Sequence, residues 1–150
     1  MGNRTLILIR HGQYHRHPKH SESGRLTAVG VRQALRLAKR LAEYRINALH
    51  TSPMPRALET AALIRKQLPG VPNTCSRLLL EGIPTRIKGL TRDQRQRVPA
   101  QRARMDTAFA RSFRPTLGKD RIELLVCHGN ILRLLRRAID DPQHKWCDRM

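Results

Sequence analysis

Two histidines, each at the end of an apolar run, carry the chemistry that this sequence suggests. His11 follows the run of residues 5–9 and Arg10, and His128 follows the run 122–127; a glycine comes directly after each histidine. Ligands of open α/β sheets bind at the carboxyl ends of strands, so we expect both imidazoles to face one pocket. An arginine beside a histidine predicts an anionic group in that pocket.

A phosphoryl group fits the remaining charged residues. Arg56 lies one turn into a predicted helix and can reach back, so that it and Arg10 clamp phosphate with forked donors. His11 can attack phosphorus as a neutral imidazole whose other ring nitrogen is held by a backbone carbonyl. A cationic His128 can stabilise the equatorial oxygens. Glu81 can protonate the leaving alkoxide and then activate water. Because cationic side chains do this work, we predict no metal and no other cofactor.

Hydrophobic periodicity supplies elements that can position these residues. The predicted strands cover residues 5–10, 46–50, 75–80 and 122–127. The predicted helices run from the N-cap Thr27 to 44, from a cap at 51–53 to Pro69, from about 91 to 113, and from 130 to 139. This alternation predicts a three-layer α/β/α sandwich with a mostly parallel sheet. Glu81 then follows the third strand, so four polar strand ends meet at one edge.

The charge balance favours anionic partners. The chain has 150 residues, enough for one domain over 1–150, with 30 Lys+Arg against 11 Asp+Glu and a net charge of +19. Nucleic acid, acidic lipid and phosphorylated protein all fit that charge, and a biased genome composition also produces it. The basic segment 86–104 is either a solvated face or a docking surface for acidic phosphoprotein or nucleic acid. It lacks aromatic residues, which disfavours single-stranded nucleic acid.

Cysteine usage and hydropathy predict a cytoplasmic protein. The three cysteines are odd in number and widely spaced, as expected for reduced thiols rather than a disulfide framework. The apolar run near the N-terminus is too short for a signal peptide, and no stretch reaches membrane-spanning length. The oligomeric state is left open by these patterns.

The loop after His11 offers a possible metal site. His15, His17 and His20 lie close to it in sequence. The loop contains proline and has no evident acid to orient these ligands, so we predict that no metal binds there.

Cys127 and Arg133 have the Cys-x5-Arg spacing of a thiolate phosphatase loop. Such a loop needs a glycine-rich cradle of backbone N–H groups, whereas the residues between these two are typical of a buried helix. We therefore predict that Cys127 is a core residue. Asn130 either orients His128 or caps the following helix, and the cap is favoured.

Five motifs in order resemble the histidine phosphatase (phosphoglycerate-mutase-like) superfamily, over residues 5 to about 139. They are Leu8–Gly12, Leu26–Ala34, Ser52–Ala61, Leu80–Gly82 and Val126–Asn130. The resemblance implies that His11 accepts the phosphoryl group, that Arg10, Arg56 and His128 bind phosphate, and that Glu81 donates a proton. It also implies a phosphoglycerate-mutase-like fold.

Within the superfamily, the chain is similar to the mitochondrial serine/threonine protein phosphatases. The residues that carry this similarity are Arg10–His15, 68–71, 80–84 and 127–133. It implies action on phosphoserine or phosphothreonine proteins. Small phosphorylated metabolites are the alternative substrates, and a catalytically idle basic binding module is the alternative function. That branch has an N-terminal membrane anchor that this sequence lacks, so neither anchoring nor a mitochondrial address is expected. Relatives continue for at least one strand beyond Trp146, so either the sheet lacks its last edge strand or the chain is a fragment.

Overall fold

A computed structural model describes residues 2–16, 23–83, 90–112, 114 and 116–133. Within those ranges the strands are β1 (Arg4–Arg10), β2 (Ile46–Thr51), β3 (Asn73–Cys75) and β4 (Arg121–Cys127). The helices are α1 (Ala28–Leu41), α2 (Pro55–Arg65) and α3 (Arg92–Ser112), with a 3₁₀ helix over Arg77–Leu79. Residues 129–133 are also helical. No helix among these residues is long and apolar enough to cross a membrane.

The four strands form one parallel sheet in the order β1-β4-β2-β3. β1 and β4 are neighbours, and their register places Arg10 opposite Cys127. Because the strands are parallel and in register at this end, the residues that follow them leave the sheet side by side. His11 and His128 are therefore adjacent, as the sequence predicted.

Both faces of the sheet are covered, which makes three layers. Alternate residues of β4 point to opposite faces. Leu124 and Val126 pack in a cluster with residues of α1 and α2. Leu125 and Cys127 pack in a second cluster with Met105 and Phe109 of α3, and with Leu79 and Ile131. The predicted α/β/α sandwich with a parallel sheet is confirmed.

The connection from β1 to α1 depends on backbone-to-backbone contact. Thr27 caps α1, since its Oγ1 accepts a hydrogen bond from the Gly30 N–H at 3.1 Å. A Cβ on Gly12 would lie 2.6 Å from the Gly30 carbonyl oxygen. The Gly12 and Gly30 backbones can approach this closely only without side chains, so these glycines bring the helix against the strand end.

The third strand was predicted wrongly. Residues 75–80 were expected to form it, but β3 ends at Cys75 and the 3₁₀ helix follows. Leu79 is buried in the cluster beneath α3, so the chain leaves the sheet to cover that face. Glu81 therefore does not follow a strand end, although it still reaches the site.

The other helix boundaries differ less. The cap predicted at 51–53 is replaced by Met54, which has no side-chain cap bond, and α2 begins at Pro55. The third helix, predicted from about 91 to 113, is observed as α3. Residues 130–133 of the helix predicted over 130–139 are helical. Residues 134–150, which include the remainder of that helix and the region of the expected last edge strand, lie outside the described residues.

Candidate active site

His11 is fixed by the backbone on both sides of it. Its N–H donates to the Cys127 carbonyl at 3.0 Å. Its Nδ1 lies 2.8 Å from the Gly12 carbonyl oxygen, which can only accept a hydrogen bond. We therefore assign the ring proton to Nδ1, which leaves a lone pair on Nε2. This is the backbone-held tautomer that the sequence analysis expected.

Arg56 meets that lone pair. The residue is buried at the start of α2, and its Nε donates to His11 Nε2 at 3.2 Å. The guanidinium lies over the ring of Tyr14, 4.5 Å from its centroid, and the same ring is edge-on to His11 at 5.1 Å. Such a cation–π contact holds the guanidinium over the face of the tyrosine ring. Arg56 is thus a cation held in one place beside His11.

His128 completes a pair of imidazoles. It is fully buried, and its ring centroid lies 5.0 Å from that of His11. Its Nε2 is 2.8 Å from Ser52 Oγ, which also accepts a hydrogen bond from the Met54 N–H. We assign the Ser52 hydroxyl proton to this contact, which places the His128 proton on Nδ1. That Nδ1 has no hydrogen-bond partner among the described residues and lies 3.9 Å from Glu81 Oε2.

Glu81 is held by backbone N–H groups. Its Oε1 accepts from Gly82 at 3.2 Å and from Asn130 at 3.3 Å. Asn130 lies in the first turn of the helix after β4, where backbone N–H groups have no partner within the helix. Glu81 Oε1 accepts from one of them, which fixes the carboxyl group beside the start of this helix.

Asn130 was interpreted wrongly as the cap of its helix. The helix already includes Gly129, so Asn130 lies inside its first turn. The Asn130 side chain instead donates from Nδ2 to the Gly82 carbonyl at 2.8 Å. It ties the Glu81 segment to the helix and does not orient His128.

Burial beside cations keeps both imidazoles neutral. Burial lowers the pKa of His11 to about 4; the bond to Gly12 opposes this, and Arg56 and Arg10 add to it. Burial lowers the pKa of His128 to about 3, with further lowering by Arg56 and His11. A cationic His128 was expected from the sequence, but burial near positive charge favours the neutral imidazole at neutral pH.

These shifts predict how stability depends on pH. Between pH 6.5 and about 4 the unfolded chain binds protons at both histidines that the folded chain excludes. The free energy of unfolding must therefore fall as the pH is lowered through this range. Replacing His128 with asparagine should reduce that slope by about one proton, measured by denaturant melts at several pH values. The wild-type protein is the reference, and an unchanged slope in His128→Asn would contradict the shift.

Arg10 faces the same pocket from the exposed side. Its guanidinium carbon lies 3.5 Å from where a Cβ on Gly129 would be. A cavity of about 740 Å³ opens beside it. The cavity is lined by Arg10, His11, Gly12, Gln13, Tyr14, His15, Arg16, Thr27 and Gln33. Among the described residues, the lining has no carboxylate and several groups that attract an anion.

The supporting roles of three residues were not predicted from the sequence. Thr60 Oγ1 accepts from the Gly12 N–H at 3.1 Å and donates to the Arg56 carbonyl at 2.8 Å, so it joins the strand end to α2. Ser52 holds His128, and Tyr14 holds Arg56. A signal existed for Thr60, which is a polar residue one turn after Arg56 on a helix face that is otherwise apolar.

Burial of Cys127 excludes the alternative in which its thiolate is the nucleophile. Cys127 is fully buried, and burial raises the pKa of its thiol to about 12. A protonated thiol in the core is not a nucleophile. The prediction that Cys127 is a core residue is confirmed.

Three side chains of the site lie close enough together to bind one metal ion. One ligand atom each from His11, Glu81 and His128 lies within 4.8 Å of the others. Both ring nitrogens of His11 are already engaged, by Gly12 and by the Arg56 guanidinium, whose charge repels a metal ion. Of the loop histidines, His15 is exposed beside the cavity, and His17 and His20 lie outside the described residues. The absence of a metal stays a prediction.

The fold defines the class to which this site belongs. A phosphoglycerate mutase from Plasmodium falciparum superposes with a TM-score of 0.67 at 25% identity, over 99% of this chain and 76% of its own. The protein YhfR from Bacillus stearothermophilus superposes with a TM-score of 0.67 at 26% identity, over 95% and 83%. The architecture is therefore phosphoglycerate-mutase-like, as the resemblance implied.

A model of the histidine phosphatase superfamily (branch 1) matches residues 6–123, and the chain belongs to this superfamily. A Caenorhabditis briggsae protein named serine/threonine-protein phosphatase Pgam5, mitochondrial, is 38% identical over 96% of this chain. The human protein named serine/threonine-protein phosphatase PGAM5, mitochondrial, is 31% identical over 95% of it. The chain spans about half the length of these relatives, 53% in both cases.

The expected cytoplasmic location is contradicted. The curated relatives are named as mitochondrial proteins. The expectation rested on cysteine spacing and on the lack of an apolar run of signal-peptide or membrane-spanning length. Neither observation excludes a mitochondrial address.

Proposed function

We propose that this protein is a metal-independent phosphomonoesterase that forms a phosphohistidine at His11. The observation that supports it best is the pairing of two buried imidazoles, 5.0 Å apart, with Arg56 held 3.2 Å from His11 Nε2. A dianionic phosphoryl group bound beside these side chains would replace the contact between Arg56 and the His11 imidazole with charge-assisted hydrogen bonds. Branch 1 of the histidine phosphatase superfamily, to which the chain belongs, is consistent with this chemistry.

In the first step His11 Nε2 attacks phosphorus. The P–N bond forms as the bond from phosphorus to the ester oxygen breaks, and protonated Glu81 gives its proton to the leaving alkoxide. Arg10 and Arg56 bind the equatorial oxygens, and His128 donates to one of them from Nδ1. A neutral His11 is available for this attack at neutral pH because its pKa is lowered to about 4.

In the second step water replaces the histidine. Glu81, now a carboxylate, takes a proton from the water as its oxygen attacks phosphorus. The P–N bond breaks, and His11 leaves as the neutral imidazole while inorganic phosphate forms. The Gly12 carbonyl keeps the Nδ1 proton in place throughout, so Nε2 is ready for the next cycle.

The favoured substrate is a phosphoserine or phosphothreonine protein. Relatives that share 31% and 38% identity are named serine/threonine-protein phosphatases. The cavity of about 740 Å³ beside His11 has room for more of a peptide than the phosphoryl group alone. Small phosphorylated metabolites are the alternative substrate, and an idle basic module is the alternative from outside the enzymes.

A substrate panel tests the function. Phosphoserine and phosphothreonine peptides are compared with phosphorylated metabolites, and the enzyme is quenched during turnover to trap the phosphoenzyme. We expect faster turnover of peptides and a label on the protein that acid removes, both unchanged by EDTA. Faster turnover of metabolites would reassign the substrate, and strong inhibition by EDTA would implicate a metal. Nucleic-acid binding with a steep salt dependence and no turnover would support the idle module.

An exposed basic surface on α3 is the proposed docking site for acidic phosphoprotein. It consists of Arg92, Arg95, Arg97 and Arg102, all exposed. Asp93 pairs with Arg97 at 3.0 Å and neutralises part of the charge. Arg104, which was counted in the predicted surface, is not available because it is half-buried and binds backbone carbonyls. Residues 86–89 lie outside the described residues.

Removing charge from this surface should weaken substrate binding without slowing chemistry. The double variant Arg92→Gln, Arg102→Gln should raise KM for an acidic phosphopeptide by about threefold to tenfold, because exposed pairs contribute about 0.2–1 kcal/mol each. The kcat should not change, and the effect should shrink at high salt. The matched control is Arg36→Gln, Arg40→Gln on the exposed face of α1. An equal rise in KM for a neutral peptide would show that the surface does not recognise acidic partners.

A further inference from the structure

Helix α3 holds the segment that carries Glu81. Residues 80–83 belong to no helix or strand, so no ladder of backbone hydrogen bonds fixes them. Arg104 fixes the segment instead, because its guanidinium donates to four main-chain carbonyls between residues 77 and 81. Its Nη1 lies 2.7 Å from the oxygen of Leu80, 3.2 Å from that of Leu78 and 3.3 Å from that of Arg77, and its Nη2 lies 3.4 Å from that of Glu81.

Gln101 secures the other side of Glu81. It lies three residues before Arg104 and therefore on the same face of α3. Its buried amide makes both possible hydrogen bonds with Ile83, since Oε1 accepts from the N–H and Nε2 donates to the carbonyl at 2.7 Å. A Cβ on Gly82 would lie 2.8 Å from Gln101 Nε2, so the glycine permits this approach.

These bonds all end on main-chain atoms on either side of Glu81. They leave its carboxylate free to meet the backbone N–H groups of Gly82 and Asn130, with Oε2 turned to His128. We propose that Gln101 and Arg104 are positioning residues that fix the Glu81 carboxyl where it can protonate the leaving group. The inference rests on the proposed role of Glu81 as the proton donor.

Esters with different leaving groups distinguish the positioning of Glu81 from a general contribution of Gln101 and Arg104 to stability. A serine alkoxide is a poor leaving group and needs a proton as the ester bond breaks, whereas p-nitrophenolate leaves without one. Misplacing Glu81 should therefore slow phosphoserine esters and spare p-nitrophenyl phosphate. The appropriate quantity is kcat/KM, which reports the steps up to formation of the phosphoenzyme.

The variants are Arg104→Met and Gln101→Leu, with Glu81→Gln as the reference. We expect each to lower kcat/KM for a phosphoserine peptide by about 10- to 100-fold, within the range of a general acid, and to change that for p-nitrophenyl phosphate by less than about threefold. Arg104→Lys should recover part of the loss. In the Glu81→Gln background, Arg104→Met should cost nothing further for the peptide, because the pair acts through one carboxyl.

One control variant and a folding measurement accompany these variants. Arg111→Met, at an exposed position near the end of α3 and outside the docking surface, should affect neither ester, and thermal melts show which variants fold. If Arg104→Met does not fold, Gln101→Leu carries the test. Equal losses for both esters, or full additivity with Glu81→Gln, would overturn the positioning role alone. A wild-type protein that turns over neither ester would overturn the proposed function, and this inference with it.

Discussion

Replacing His11 with alanine is expected to abolish turnover of p-nitrophenyl phosphate and to eliminate the acid-labile phosphate label on the protein. The imidazole is the group that would bond to phosphorus, and losing a nucleophile costs at least about 10⁴-fold in rate. Both ends of the ring are held, by Gly12 and by Arg56, so the imidazole is fixed in the site where it would attack. Steady-state turnover and quenched labelling measure the two losses on the same preparation.

His15→Ala is the matched control, since this histidine is exposed beside the same cavity. It should retain turnover and label. Cys127→Ser tests the thiolate alternative and should also remain active. Retained label in His11→Ala, with loss in Cys127→Ser, would move the nucleophile to the thiol and end the phosphohistidine proposal.

Replacing Arg56 with methionine should lower kcat/KM by about 10²–10³-fold, the cost of losing one donor aimed at developing charge. The guanidinium is buried, donates to His11 Nε2 at 3.2 Å and lies over the Tyr14 ring. Arg56→Lys should restore only part of the loss, because an ammonium group lacks the planar fork that binds two phosphate oxygens. Kinetics with p-nitrophenyl phosphate and inhibition by inorganic phosphate measure catalysis and anion binding together.

Arg65→Met is the control for this prediction. Arg65 lies at the exposed end of the same helix, so its loss changes the charge but not the site. Phosphate inhibition should weaken in Arg56→Met and stay the same in Arg65→Met. Unchanged kinetics in a folded Arg56→Met protein would show that Arg10 and His128 bind the phosphoryl group without it.

Hydrophobic periodicity predicted the elements that are themselves strongly periodic. The runs before His11 and His128 became β1 and β4, and Thr27 was correctly identified as the cap of α1. Parallel pairing of those two strands was enough to bring the histidines together. The local pattern sufficed there because a continuous apolar run is typical of a strand that is buried on both faces of a parallel sheet.

Prediction failed where a residue's role depends on a distant partner. Leu79 and its neighbours look like a strand in sequence, but they cover the face of the sheet beneath α3. Asn130 looks like a helix cap, yet its amide binds Gly82. In both cases a tertiary contact overrode a local preference of similar size.

The sequence by itself determined which groups could do the chemistry and which two strands would bring them to one edge, because strand-end positions follow from local pattern and parallel pairing. Only the tertiary structure decided the protonation of His11 and His128, because their pKa values depend on burial and on the nearby guanidinium groups. It also decided where Glu81 lies, since that segment is held by Gln101 and Arg104 from an element that follows it in the chain. Such contacts join residues about 20 positions apart, and no short-range pattern in the sequence encodes them.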